Sequence, residues 1–127
     1  MISIRTFASV ALFVLAANAH AVDPKADAEM LKLASSSGCL TCHSVEAGKK
    51  GPNGMAPIGP AWDDVAQQYG GKPGASEFLT RIVLEGSNPY SSHWKGKVSG
   101  LAMPPNAVAI TEGNARRLVD WILAHGK

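Results

Sequence analysis

Apolar residues recur at three- and four-residue spacing in four stretches of the chain, and nowhere do they alternate with polar ones long enough to predict a strand. In the first stretch Asp23 is placed to cap a helix with Pro24 in its first turn. Ala26, Met30, Leu33 and Ala34 follow on one face, and Ser35-Ser36-Ser37-Gly38 ends it. The second, over 60–69, sets Trp62, Val65, Ala66 and Tyr69 on one side and stops at Gly70-Gly71. A third helix, over 76–85, turns Phe78, Leu79, Ile82 and Val83 inward and ends at Gly86. The fourth is the most regular: Thr111 caps it, Ala115, Leu118, Val119, Ile122 and Leu123 form its stripe, Trp121 flanks them and Gly126 closes it. The pattern predicts an all-α domain of about four helices. Segments 44–59 and 87–109 have no periodicity of their own, and loops that long usually either are disordered or wrap something.

Residues 1–21 read differently. Arg5 supplies a positive start, residues 7–17 an apolar run, and Ala19-His20-Ala21 a small-x-small cleavage site. This predicts a signal peptide cleaved after Ala21, with a site after Ala19 as the rival, and an exported mature domain over 22–127. The apolar run falls short of the roughly 20 residues that span a bilayer, and no later run approaches that length. Removing the leader leaves eleven Lys and Arg against ten Asp and Glu, with no basic cluster of the kind that binds phosphates, so nucleic acid is not an expected partner. A domain of this size buries only about two-thirds of its unfolded surface, and a bound prosthetic group would add usefully to its core.

Both cysteines fall within Cys39-Leu40-Thr41-Cys42-His43. In a helical turn Cys39, Cys42 and His43 would project from one face. Two thiols so placed suit addition to the two vinyl groups of a haem, with the imidazole beside them reaching the iron, and C-x-x-C-H is the attachment signature of c-type haem. Other uses of two cysteines remain: a structural disulfide, a thioredoxin-like redox pair, or zinc ligands. The redox pair normally follows a buried strand, whereas here a helix precedes it. Zinc needs further ligands at close spacing, which His93 and His125 do not supply. If a haem is bound, the residue on its other face decides the function. Met103 stands before Pro104-Pro105, a stiff arm behind a sulfur ligand, although methionine also fills irregular core gaps. Met30, Met55 and His93 are the other candidates.

From about residue 23 to 127 the chain resembles the class I c-type cytochromes, close to the small monohaem kind of the bacterial periplasm. The carriers are Cys39-Leu40-Thr41-Cys42-His43, then Ile58-Gly59-Pro60-Ala61-Trp62 opening a helix, Met103-Pro104-Pro105-Asn106, and a last helix bearing Trp121. The resemblance implies a cytochrome c fold, with about four helices and long loops wrapped around one haem c held through Cys39 and Cys42. It implies His43 and Met103 as axial ligands, the Pro60 carbonyl as hydrogen-bond acceptor for His43, and Asn106 as the residue steadying the methionine loop. Arg81 and Trp94 occupy places where similar proteins hold a haem propionate; an ordinary solvated helix charge is the other reading of Arg81.

The resemblance further implies a carrier of single electrons between redox protein partners, with no catalytic residues of its own. The alternative is the haem subunit of an oxidoreductase complex whose partner carries the catalytic site. A haem enzyme or gas sensor would require Met103 not to ligate. In two respects the chain departs from the family pattern: the first helix carries no aromatic, so Met30, Leu31 and Leu33 must pack on the last helix, and the loop over 87–101 is long.

Overall fold

The computed structural model describes residues 23–125; the leader pattern in 1–21 and the Gly126 expected to close the last helix lie outside them. Asp23 accepts a hydrogen bond from the Lys25 N–H at 3.0 Å and, with Pro24 in the first turn, starts helix α1 over Pro24–Ser36. Helix α2 covers Trp62–Tyr69, α3 Ala75–Glu85 and α4 Glu112–His125, and no strand occurs among the described residues.

The boundaries follow the sequence pattern closely, and one offset matters. Helix α2 begins at Trp62 rather than at 60. Ala61 is extended, with φ −62° and ψ 148°, so the Pro60 carbonyl stays out of the helical ladder and is available to a partner elsewhere.

Helix α4 packs against α1, α2 and α3. Its Ala115, Leu118 and Ile122 join Met30 and Ala34 of α1, Trp62 and Val65 of α2, and Ile110 in one buried cluster. Between α1 and α4, Met30 is buried, Leu33 half-buried and Leu31 exposed. Polar contacts complete that seam: Trp121 donates its Nε1–H to Asp27, and Arg117 pairs with Glu29.

Helix α3 differs from the expected inward face. Phe78 is 40% exposed, and Leu79, Ile82 and Val83 are only half-buried because all three line a cleft, although Leu79 and Val83 also pack against the buried cluster that includes α4. The most deeply buried side chain of α3 is Thr80, at 3% exposure, whose hydroxyl has no hydrogen-bond partner among the described residues. Stripping a hydroxyl of water without replacing its bond costs about 1–3 kcal/mol. Thr80→Val, which keeps the shape, is therefore expected to raise the unfolding free energy by about 1 kcal/mol, read as a higher denaturant midpoint at unchanged slope.

The two long loops meet each other. Ser99 and Gly100 donate backbone N–H bonds to the carbonyls of Pro57 and Ile58, at 2.8 and 2.9 Å. This joins the segment after the cysteine motif to the segment before Met103. Together the loops wall the cleft along which Ile58, Gly100, Leu101 and Met103 lie.

Candidate haem-binding site

Gly38 ends α1, and Cys39–Thr41 forms a single 3₁₀ turn in which the N–H groups of Cys42 and His43 both bond the Cys39 carbonyl, at 3.2 and 3.1 Å. The turn delivers Cys39, Cys42 and His43 to one cleft. Both thiols are free and half-buried. Burial is the main influence pushing the Cys39 thiol above its ordinary pKa, a backbone hydrogen bond partly offsets it and proximity to Cys42 adds to it, so before haem attachment Cys39 is a protonated thiol near neutral pH.

His43 is held from its outer side. Nδ1 lies 2.7 Å from the Pro60 carbonyl oxygen. A carbonyl only accepts, so Nδ1 carries the proton and the neutral ring keeps its lone pair on Nε2. Burial lowers the His43 pKa, an effect the Pro60 bond partly offsets, and the ring is therefore neutral and ready to ligate near neutral pH. Gly59 backs the ring so closely that a Cβ there would sit 2.7 Å from Cε1, and its N–H is bonded to the Cys42 carbonyl at 2.8 Å. A side chain at 59 would displace the imidazole.

Met103 is braced by a different set. Its N–H donates to Ser87 Oγ at 2.8 Å, and the Ser87 N–H returns a bond to the Met103 carbonyl at 2.9 Å. Asn106 donates its side-chain amide to the Pro104 carbonyl at 2.6 Å and its backbone N–H to the Val83 carbonyl at 3.0 Å, tying the Met-Pro-Pro segment to the end of α3. Gly86, at φ +88°, lets the chain turn there, and a Cβ on it would meet the Met103 carbonyl at 2.9 Å. Gly86→Ala should combine backbone strain with that clash and destabilise the protein by about 1–3 kcal/mol. Hydrogen exchange should speed up at the Met103 and Ser87 amides before it does in α4.

The cleft these parts enclose is walled mainly by apolar side chains and holds about 1090 Å³ of space not filled by atoms, part of it open to solvent. Among the residues singled out from the sequence, Cys39, Cys42, His43, Pro60, Trp94 and Met103 all line it. Asn106 lies behind it as the Met103 brace. Arg81 is exposed on α3 and is not a lining residue.

The sequence pattern gives no site role to Gly59, Ser87 or Trp62. Gly59 and Trp62 fall within the Ile58-Gly59-Pro60-Ala61-Trp62 motif, and Trp62 has the spacing of a core residue, while nothing in the spacing of Ser87 points to its two-way pairing with Met103. The donor set suits a haem on chemical grounds: two thiols for its vinyl groups, an imidazole with a free Nε2, a thioether sulfur, and apolar walls for the macrocycle.

The fold and cleft define a class, that of small helical proteins built around one covalently held haem. The model of the cytochrome c family matches residues 31–125, and the chain belongs to that family. It is 38% identical to cytochrome c-551 of Allochromatium vinosum over 86% of this chain and 98% of that one. It is 34% identical to cytochrome c-552 of Nitrosomonas europaea over 93% and 90%. The crystal structure of wild-type Nitrosomonas europaea cytochrome c552 superposes with a TM-score of 0.57 at 33% identity, covering 74% of this chain and 96% of that one. Haem c is thus the prosthetic group, attached through Cys39 and Cys42, and the protein works in electron transfer with redox partners.

Proposed function

We propose that the protein is a periplasmic carrier of single electrons between redox protein partners, with His43 and Met103 as the axial ligands of its haem c. The observation that carries this reading is the pairing, in one apolar cleft, of an imidazole whose Nδ1 is committed to Pro60 with a thioether on a separately braced segment. The bound haem supplies the one-electron iron couple. Pro60 orients His43 and raises its basicity as a ligand, and the soft, neutral Met103 sulfur favours the reduced state.

With His43 and Met103 both ligating, the haem iron would keep no site for oxygen, peroxide or a substrate, which favours a carrier over an enzyme. Similarity to cytochromes c-551 and c-552 along nearly their full lengths supports a carrier over a haem subunit of a larger complex. Trp94, lining the cleft, is the better placed of the two propionate candidates, and the position of Arg81 supports its reading as a solvated helix charge. The leader pattern in 1–21 motivates the compartment, and no helix among the described residues is long and apolar enough to cross a membrane.

The optical spectrum of the oxidised holoprotein tests the ligand assignment. Methionine ligation is expected to give a weak charge-transfer band in the far red; its absence would return the iron to an open-site enzyme or sensor. Docking has its own test. Lys49, in the loop after the cysteine motif, is paired with Glu46 at 2.9 Å, whereas Lys97, in the loop before Met103, has its Nζ 3.1 Å from His93 Nε2 and 5.6 Å from the ring of the cleft-lining Trp94. Lys97→Glu should slow association with an acidic redox partner at low ionic strength, and the difference should vanish as salt screens it. A rate indifferent to both would point to apolar docking at the haem edge.

A further inference from the structure

One wall of the His43 imidazole is made by a side chain to which the ligand scheme gives no part. Trp62, 4% exposed at the first position of α2, lies 22° from parallel with the imidazole, ring centres 6.1 Å apart. Behind it, Trp121 of α4 meets it edge to face, at 84° and 5.8 Å. The Trp121 indole is fixed in turn by Asp27 in the first turn of α1, through an Nε1–H to Oδ1 bond of 2.7 Å. The four side chains form a continuous stack from the start of α1 to the ring.

We infer that Trp62, Trp121 and Asp27 are positioning residues that transmit the α1–α4 packing onto the plane of the His43 imidazole. The inference rests on His43 being an axial ligand. The Pro60 bond fixes Nδ1 and Gly59 lies against the ring near Cε1, but neither contact by itself sets the plane of the imidazole. Trp62 limits how far that plane can turn. It has little freedom to give way, since its backbone N–H is bonded to the Ser44 carbonyl at 2.9 Å and its ring abuts Trp121.

Trp121 has one polar atom, the indole nitrogen, and a half-buried indole N–H needs an acceptor; a carboxylate is a strong and directional one. Removing that acceptor favours rotation of Trp121 toward water and opens space behind Trp62. The Arg117–Glu29 pair ties the same two helices, but its side chains are 55% and 60% exposed and are not part of the stack, so it serves as an internal control.

The proton NMR spectrum of the oxidised holoprotein tests the inference, because the orientation of an axial imidazole sets how unpaired spin spreads over the haem methyl groups. A wild-type spectrum without the low-spin pattern of histidine ligation would overturn the axial-ligand reading itself. With that pattern present, Trp121→Phe, which keeps the aromatic edge and removes the N–H, is expected to change the spacing of the methyl resonances, and Asp27→Ala to change it likewise. Asp27→Asn keeps an acceptor oxygen and should retain the wild-type spacing; if it matches Asp27→Ala, charge and not positioning acts, and the inference falls. Arg117→Ala should lower the unfolding midpoint alone. Should Asp27→Ala fail to mature, Trp121→Phe decides by itself. Methyl spacing in Trp121→Phe indistinguishable from wild type or from Arg117→Ala overturns the inference, leaving the Trp121–Asp27 bond as a helix tie.

Discussion

Replacing Cys39 and Cys42 together by Ala is expected to give a chain that carries no haem on a denaturing gel and is largely unfolded. The reason lies in how the apolar surface is divided. Leu79, Ile82, Val83 and Trp94 are only half-buried by the polypeptide and turn their remaining surface into the cleft. Each such side chain is worth about 1.5–3 kcal/mol when fully buried, against a net stability of roughly 5–15 kcal/mol for a whole domain. A group that covers several of them is thus a large part of the fold. Thioether attachment makes that cover permanent, and its loss leaves binding to depend on His43 and Met103 alone. Haem-activity staining and near-ultraviolet circular dichroism provide the measurement. A stained band at the mass of the chain would show attachment elsewhere, and a well-folded colourless protein would show that the helices do not need the haem. Either single variant, retaining one thiol, should fall between the double variant and wild type.

His43→Ala and Met103→Ala are expected to differ in kind. His43 follows Cys42 directly after the 3₁₀ turn, its N–H bonded to the Cys39 carbonyl, and is pinned by Pro60 and Gly59, so its loss removes a ligand from the place where the haem is first held. Maturation should fail, with little holoprotein recovered. Met103 is presented by a separate segment braced by Ser87 and Asn106, and those backbone bonds do not depend on its side chain. Met103→Ala should therefore leave the haem attached and the fold intact, abolish the far-red band, and lower the reduction potential by a sizeable fraction of the roughly 0.8 V that axial ligation spans in haem proteins. An unchanged spectrum and potential would make Met103 a loop residue. Equal failure of both variants would mean that the methionine segment folds only around its ligand.

Much of the fold was legible because helices announce themselves locally. The 3.6-residue period, the Asp23-Pro24 start and the glycine stops placed all four helices to within two residues. The cysteine motif was legible for the same reason, since five consecutive residues in one turn need no long-range information to share a face. Misplacement arose where one helix face serves two neighbours. Periodicity marks Phe78 as inward along with Leu79 and Ile82, but it does not say which part of the stripe meets α4 and which meets a cleft, and Phe78 proves exposed.

Residue order alone carried the inventory and the local geometry: four amphipathic helices, two thiols and an imidazole within five residues, and a methionine on a stiff proline arm. Which distant groups meet was left to the folded chain. Pro60 lies 17 residues from His43, Ser87 lies 16 from Met103, and Asp27 lies 94 from Trp121, yet each pair is within hydrogen-bonding distance. Such contacts depend on how loops close and on how helices cross. Those are set by the summed packing of the whole chain, in which a single serine or aspartate leaves no periodic trace.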